Sequence, residues 1–302
     1  MHIIMKVFLT GSTGFVGKRI LQDLLKKNYQ VRCVVRQGSE QKIVHYKEAA
    51  DIVQGDITDV DSLRGKLAGC DAVINLVGII REFPGKGITF EKLHYEGTVN
   101  LLKAAREQGV RRFIQMSALG AQKDGKTQYQ QTKFRAEECI QSSGLDYTIF
   151  RPSVIYGPGD KFVNLFVRML KTLQFVPVIG NGRYQMQPVS VENVSNGFVR
   201  SIEQKDSIGK IFVVGGPEKM EFNRIIDIIG SVLCVPPYKL HIPVFIMNLA
   251  AEMFDWLSAF PVTKDQISML LEGNTCDEKP FLNHFNIKSI EFKQGISKYF
   301  IS

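Results

Sequence analysis

Three glycines at G-x-x-G-x-x-G spacing, Gly11, Gly14 and Gly17, are the first residues whose types and spacing could do chemistry. They sit in the run Gly11-Ser12-Thr13-Gly14-Phe15-Val16-Gly17, which follows a strand pattern at 6–10 and opens a helical pattern at 17–27. In that setting glycines allow a tight turn and a close backbone approach to a pyrophosphate. The helix start adds unpaired N–H groups and the positive end of its dipole. The spacing is one residue longer between the first two glycines than in the G-x-G-x-x-G dehydrogenase fingerprint. An ordinary glycine-rich strand–turn–helix is the alternative. The expected ligand is a nicotinamide dinucleotide.

Arg36 speaks to which one. It ends the second strand pattern, about twenty residues on, where the adenosine ribose should lie. A carboxylate there would bind free ribose hydroxyls and repel a 2′-phosphate, whereas a guanidinium can stack on adenine and grip the phosphate as a fork. NADP(H) is therefore favoured over NAD(H), a solvated arginine at a strand end being the competing reading. Asp56, after the third strand, suits the adenine amino group or else serves as a turn or helix cap.

A second constellation lies downstream. Tyr129-Gln130-Gln131-Thr132-Lys133 puts a phenol and an ammonium at i and i+4, on one helix face. A phenol is a poor acid or base near neutrality, but a nearby ammonium and a positive nicotinamide ring would lower its pKa. Lys133 could also hold the nicotinamide ribose. Ser117, ending a strand pattern, could donate to a substrate oxygen and polarise a carbonyl. Alone, Y-x-x-x-K reads as an exposed helix pair; its place after Ser117, in the same sheet as the glycine loop, favours chemistry.

The elements that must position these groups alternate. Strand patterns at 6–10, 31–35, 51–54, 72–76, 113–116 and 147–150 are separated by helical patterns at 17–27, 62–67, 90–108 and 129–142. Such alternation implies a parallel, doubly wound α/β (Rossmann) sheet, which binds ligands beyond the carboxyl ends of its strands. After Pro152 the rhythm loosens. Turns are expected at 157–159 and 180–182, helices at 162–173 and 191–202, a strand at 211–214, and mostly helices over 223–271. No second glycine loop occurs. The expected organisation is a dinucleotide-binding domain at 1–155 and a smaller, mainly helical lobe at 156–302, with some segments returning to the sheet.

The 302 residues, 44% hydrophobic and 23% charged, are ordinary for a globular protein, and no repeat or low-complexity tract appears. The net charge of +8 attracts anions, but the basic residues form no stripe with aromatics, which argues against nucleic acid. Cys33, Cys70, Cys139, Cys234 and Cys276 are too scattered for a disulfide framework or a zinc site, which favours a reducing compartment and no metal. Residues 1–5 are too short an apolar stretch for a signal peptide. The longest apolar region, 242–260, is broken by Asn248, Glu252 and Asp255 at helical spacing, as in a helix covering a core. With Phe254 and Trp256 it is also a weaker candidate for a peripheral membrane contact. A cytoplasmic protein, or one peripheral at the inner face of a membrane, is expected.

Several segments together carry a resemblance. Thr10-Gly11-Ser12-Thr13-Gly14-Phe15-Val16-Gly17, Gly55-Asp56-Ile57, Gly97-Thr98-Val99-Asn100-Leu101-Leu102, Tyr129 with Lys133, and Arg151-Pro152-Ser153-Val154-Ile155-Tyr156-Gly157 occur in the order of the short-chain dehydrogenase/reductase superfamily. The chain resembles its extended or atypical branch. More narrowly it resembles bacterial relatives of the nucleotide-binding accessory subunit of respiratory NADH:ubiquinone oxidoreductase. Asn75-Leu76-Val77-Gly78-Ile79, Met116-Ser117-Ala118-Leu119-Gly120-Ala121, 187–194 and 263–266 carry that closer match. The resemblance implies that Ile57, Leu76, Val77 and Gly78 pass beside the adenosine half of the cofactor. Pro152, Ser153 and Val154 would lie near the nicotinamide. Two departures stand out: Ala118-Leu119-Gly120 replaces the further Ser or Thr of sugar-nucleotide epimerases, and His94 replaces a helix asparagine tied to a proton-relay water.

Two functions follow as expectations. One is an oxidoreductase or epimerase acting on a small carbonyl or hydroxyl substrate, with Tyr129 as acid/base, Lys133 as its partner and Ser117 as orienter. The other is a non-catalytic NADP(H)-binding structural, assembly or regulatory protein of the respiratory-accessory type. Residues 81–89 and the helix near Phe162 are expected to border the substrate, whose identity is not written in the sequence.

Overall fold

A computed structural model describes residues 4–254 and 262–300. Six strands, β1 (Lys6–Thr10), β2 (Gln30–Val35), β3 (Asp51–Gln54), β4 (Ala72–Asn75), β5 (Arg112–Met116) and β6 (Asp146–Pro152), are joined by Lys210–Val214 in one sheet. The spatial order is Lys210–Val214, β6, β5, β4, β1, β2, β3, and every pairing from β6 to β3 is parallel. This is the doubly wound order, with the reversal of direction between β1 and β4. Val7 pairs with both Val31 and Ala72 in register, so the strand ends beyond Thr10, Val35 and Asn75 lie at one edge of the sheet.

The strands are buried on both faces, as a parallel sheet covered by helices requires. Phe8, Val34, Val73, Phe113 and Ile149, one from each of five strands, share a core with Leu101, Leu102 and Ala105 of α2 (Gly97–Glu107). Alternate residues point to the opposite face, where Phe150 packs on Phe198 of α5 (Val191–Ser201). The remaining helices of this part are α1 (Phe15–Lys26), α3 (Gln128–Gln141) and α9 (Lys279–His284).

Two compact units result. The first comprises Met1–Arg151, Val194–Phe212 and Pro280–Ile287; the second comprises Pro152–Asn193, Val213–Lys279 and Lys288–Ser302. The second unit packs α4 (Val163–Leu173), α6 (Phe222–Leu233) and α10 (Phe292–Phe300) around Tyr156, Leu170, Val176, Val178, Ile225 and Ile229. It also holds α7 (Val244–Phe254) and α8 (Lys264–Glu272).

Two sequence expectations need correction. The helix over 62–67 is only a 3-10 turn at Asp61–Leu63, because Gly65 adopts φ +69° and Gly69 φ +72°. The helix over 90–108 is instead a π-helical turn, Glu91–Glu96, feeding α2. Over 223–271 the described residues are mostly helical, as expected, with one strand among them, Tyr238–Ile242, which pairs in parallel with Phe175–Ile179. Trp256, expected beside Phe254, lies outside the described residues.

Candidate functional site

In the first unit the glycine loop is shaped by contacts that only hydrogen permits. Gly11 adopts φ +71°, and the Gly14 N–H donates to its carbonyl at 3.0 Å. A Cβ on Gly17 would lie 2.0 Å from the Gly11 oxygen, so α1 can rest on the loop only with glycine there. Gly14 caps α1 with no side-chain cap, and the first turn carries no acidic residue. The N–H groups around Phe15 and Val16 therefore keep their affinity for an anion. Thr13 is half-buried on the loop.

Past β2, Arg36 is exposed, and its guanidinium has no partner among the described residues. With Gln37, Gln54, Gly55, Asp56, Ser62 and Lys66 it lines an open depression of about 450 Å³. Asp56 is partly committed: Oδ1 accepts from the Thr58 N–H at 2.9 Å and the Thr58 hydroxyl at 2.8 Å. The turn reading of this aspartate is thus realised at one oxygen. Ile57 faces inward, its side chain buried where a Cβ on Gly97 would come within 2.6 Å.

Beyond β4, Leu76 closes over Gly11, whose added Cβ would lie 3.0 Å from the Leu76 carbonyl carbon. Two residues on, a Cβ on Gly78 would lie 3.0 Å from Lys133 Nζ and 3.6 Å from His94 Nε2. The segment 76–78, with half-buried Val77 between, therefore runs from the glycine loop to the lysine. Beneath it lies a buried polar chain. Thr10 donates to Asn75 Oδ1 at 2.6 Å, and Asn75 Nδ2 donates to Gln115 at 2.9 Å and to Thr98 at 3.3 Å. A fully buried asparagine persists because all of its hydrogen-bonding capacity is matched. The sequence signal was an amide at the end of an otherwise apolar strand.

Thr127 starts α3 with a full capping box to Gln130. That helix delivers Tyr129, Thr132, Lys133 and Glu137. Lys133 is buried, and its Nζ donates to the Met116 carbonyl at 3.3 Å. Burial lowers it to about 8, while Glu137 opposes the shift. Glu137 is itself fully buried and gripped by the Arg151 guanidinium, with Nε at 2.9 Å from Oε1. Ser117, next to Met116, is fixed by its N–H to the Phe150 carbonyl at 2.7 Å, and its buried Oγ has no hydrogen-bond partner. An unpaired buried hydroxyl is costly, and a ligand oxygen would repair it.

Tyr129 differs from the sequence expectation. Desolvation by burial pushes its phenol up to about 12 in the chain alone. The ring meets His94 edge-on at 5.3 Å and Phe90 at 5.6 Å.

His94 is the group whose role the sequence did not disclose. It is buried on the π-helical turn. The Thr132 hydroxyl donates to the Gln128 carbonyl at 2.7 Å, so it accepts from His94 Nδ1–H at 3.1 Å. Nε2 then accepts from the Ile79 N–H at 3.1 Å, with the Ile79 carbonyl at the same distance. Burial first, and Lys133 second, hold the ring neutral, its pKa down at about 2. His94 thus ties the segment after β4 to α3 beside Lys133.

Two expected substrate borders are self-contained. Residues 81–89 form a small loop closed by Phe83 and Ile88, with the Phe83 N–H on the Ile88 carbonyl at 2.7 Å. Phe162 packs on Phe166 and Phe222 within the second unit. Pro152, Ser153 and Val154 open that unit. Ser153 Oγ donates to the Asn274 carbonyl at 3.2 Å, and Val154 packs on the core.

Residues 11–165 match the family described as NAD(P)H-binding. Over 282 residues, 90% of this chain and 69% of the relative, it is 31% identical to the mitochondrial NADH dehydrogenase [ubiquinone] 1 alpha subcomplex subunit 9 of Arabidopsis thaliana. It is 26% identical to the chloroplastic divinyl chlorophyllide a 8-vinyl-reductase of Cucumis sativus, over 86% of this chain and 64% of that one. Among solved structures, UDP-glucose 4-epimerase of Thermotoga maritima superposes with a TM-score of 0.78 at 18% identity, covering 98% of this chain and 99% of that one. That likeness speaks to the fold.

Proposed function

Because the chain belongs to the NAD(P)H-binding family, within the atypical short-chain dehydrogenase/reductase group, we propose that it is an NADP(H)-dependent oxidoreductase or epimerase of a small carbonyl or hydroxyl compound. The observation that carries this reading is the buried, partnerless Ser117 Oγ beside the Met116 carbonyl that Lys133 holds.

In this reading the α1 N-terminus and the glycine loop hold the pyrophosphate, Arg36 the 2′-phosphate, and Lys133 the nicotinamide ribose. The cofactor, when bound, supplies or takes up a hydride. Ser117 donates to the substrate oxygen. Tyr129, protonated up to about pH 12, passes its proton to that oxygen as a carbonyl is reduced, and the Lys133 ammonium steadies the phenolate that remains. The chain alone is therefore set for the acid role. The base role needs added positive charge near the phenol to bring its pKa down.

A second reading draws support from the likeness to the alpha subcomplex subunit 9 and from Ala118-Leu119-Gly120, which supplies no further hydroxyl after Ser117. In it the same cofactor stabilises a protein that assembles with a respiratory complex.

One experiment separates the two. Tyr129→Phe should abolish NADPH oxidation across a panel of carbonyl compounds while keeping the rise in melting temperature that NADPH produces. Arg36→Glu should weaken NADPH about tenfold or more, ~1.4 kcal/mol or more, and leave NADH nearly untouched. Native protein that is stabilised by NADPH yet oxidises none of it across the panel would favour the assembly reading. Equal affinity for NADPH and NADH would remove the role given to Arg36.

A further inference from the structure

Helix α7 has two apolar faces. Val244, Met247 and Ala251, three and four residues apart, pack with Ile179 and Ile267 in the second unit. The opposite side should be polar if α7 were an ordinary covering helix. Instead it presents Phe245, Ile246 and Leu249, 71%, 44% and 57% exposed. Asn248 and Glu252 make only a narrow polar stripe between the two apolar faces, and an outward apolar face of this kind is one that another apolar phase would cover. At eleven residues it extends about 16 Å, far short of a bilayer span. Among the described residues no helix is long and apolar enough to cross a membrane.

The apolar surface continues onto the ribbon that precedes α7. In that ribbon Val176 and Val178 turn into the core, while Phe175 pairs in register with Tyr238, and both are exposed. Leu240, opposite Pro177, is exposed too, as is Leu173 at the end of α4.

Charge distinguishes among occupants. Residues 161–191 and 228–251, which contain the ribbon, α4 and α7 as far as Ala251, include no Asp or Glu. They carry Lys161, Arg168, Lys171, Arg183 and Lys239, the first four exposed. Lys239 is spent on Asp227 at 2.7 Å, and the carboxylate nearest on α7, Glu252, is bound to Lys264 at 2.8 Å. An apolar face bearing aromatic rings, set in segments with unopposed cations, matches the boundary between acyl chains and anionic headgroups. A second copy of the chain would bring the same positive charge to the contact and be repelled by it.

We propose that the outer face of α7 and the adjoining ribbon are a docking surface for an anionic lipid bilayer, on which the protein rests without crossing it. The inference does not depend on whether hydride is transferred.

The test is flotation of the full-length chain with vesicles of phosphatidylcholine alone or with about one phosphatidylglycerol in four lipids. Binding to the anionic vesicles is expected to be at least tenfold stronger, and to weaken severalfold between about 0.05 and 0.5 M salt. The double variant Phe245→Glu/Leu249→Glu should lose at least tenfold in binding, with its melting temperature and NADPH-induced stabilisation unchanged. Arg168→Glu/Lys171→Glu should lose severalfold without affecting either control. The proposal fails if anionic vesicles do not float the protein, or if the apolar double variant floats as well as the parent. It also fails if light scattering shows a dimer that the same variant dissociates, which would make the face a contact between copies.

Discussion

Lys133 keeps its charge against its surroundings. Burial brings it from 10.5 to about 8, and Glu137 one turn away opposes the shift. Between those two values the unfolded chain holds a proton that the folded chain has released, so Lys133 makes stability rise as pH increases through that window. Below pH 8 the buried ammonium costs folding about 3 kcal/mol. Lys133→Met, which keeps the stem and drops the charge, should therefore raise the melting temperature of the cofactor-free protein at pH 7. The gain should shrink toward pH 10, and the stabilisation by NADPH should be lost. Calorimetry at the two pH values, with and without NADPH, reads all three effects. A methionine variant less stable than its parent at pH 7 would show that the Met116 carbonyl and Glu137 more than compensate the ammonium. His94 marks the limit of residue-by-residue reading. Its partners, Ile79 and Thr132, lie far from it in sequence, and its neutrality follows from burial that no local pattern encodes.

At the scale of elements, legibility followed locality. The strand–loop–helix through Gly11, Gly14 and Gly17 could be read because the glycines that shape its turn lie within seven residues of one another, and α3 because Thr127 and Gln130 box its start. The ribbon of Phe175–Ile179 and Tyr238–Ile242 could not, since each strand exists only through its distant partner. The double-faced character of α7 was likewise hidden, because periodicity counts apolar residues without saying which of them find a core. The glycine loop allows a sharp test of element packing. A Cβ on Gly17 would meet the Gly11 carbonyl oxygen at 2.0 Å and its carbon at 2.8 Å, both backbone atoms that cannot rotate away. Gly17→Ala should push α1 off the loop at a cost of about 1–3 kcal/mol, and NADPH binding should fall by more than that alone predicts. Lys26→Ala, on the exposed last turn of the same helix, serves as the control. Urea midpoints that are equal for the two variants would mean that the loop tolerates the displacement.

At the scale of the whole chain, the first unit is not a contiguous N-terminal piece. It includes Val194–Phe212 and Pro280–Ile287, although the last strand contributed by the continuous part, β6, is complete by Pro152. The reason is a phenylalanine cluster on one face of the sheet. Phe150 lies 4.5 Å from Phe198, 5.5 Å from Phe285 and 6.0 Å from Phe281 between ring centres, and a Cβ on Gly197 would come within 2.5 Å of Phe281. Arg112 is buried in the same unit, its guanidinium held by the Ser201 and Asp146 carbonyls, Ser207 Oγ and Thr148 Oγ1. A fragment of residues 1–155 keeps every strand from β1 to β6 but loses three of these phenylalanines and two of the four Arg112 partners. Each buried phenylalanine deleted from a core costs about 3–5 kcal/mol, and a buried charge stripped of its partners costs about as much again. A domain holds only about 5–15 kcal/mol in all. The fragment should therefore fail to fold cooperatively, binding a hydrophobic dye and giving no NADPH-dependent transition. Co-expression with residues 156–302 should restore both the melt and the NADPH response. A cooperative, NADPH-stabilised transition in the isolated fragment would show that the sheet and its own helices suffice, and that the returning segments only cover it.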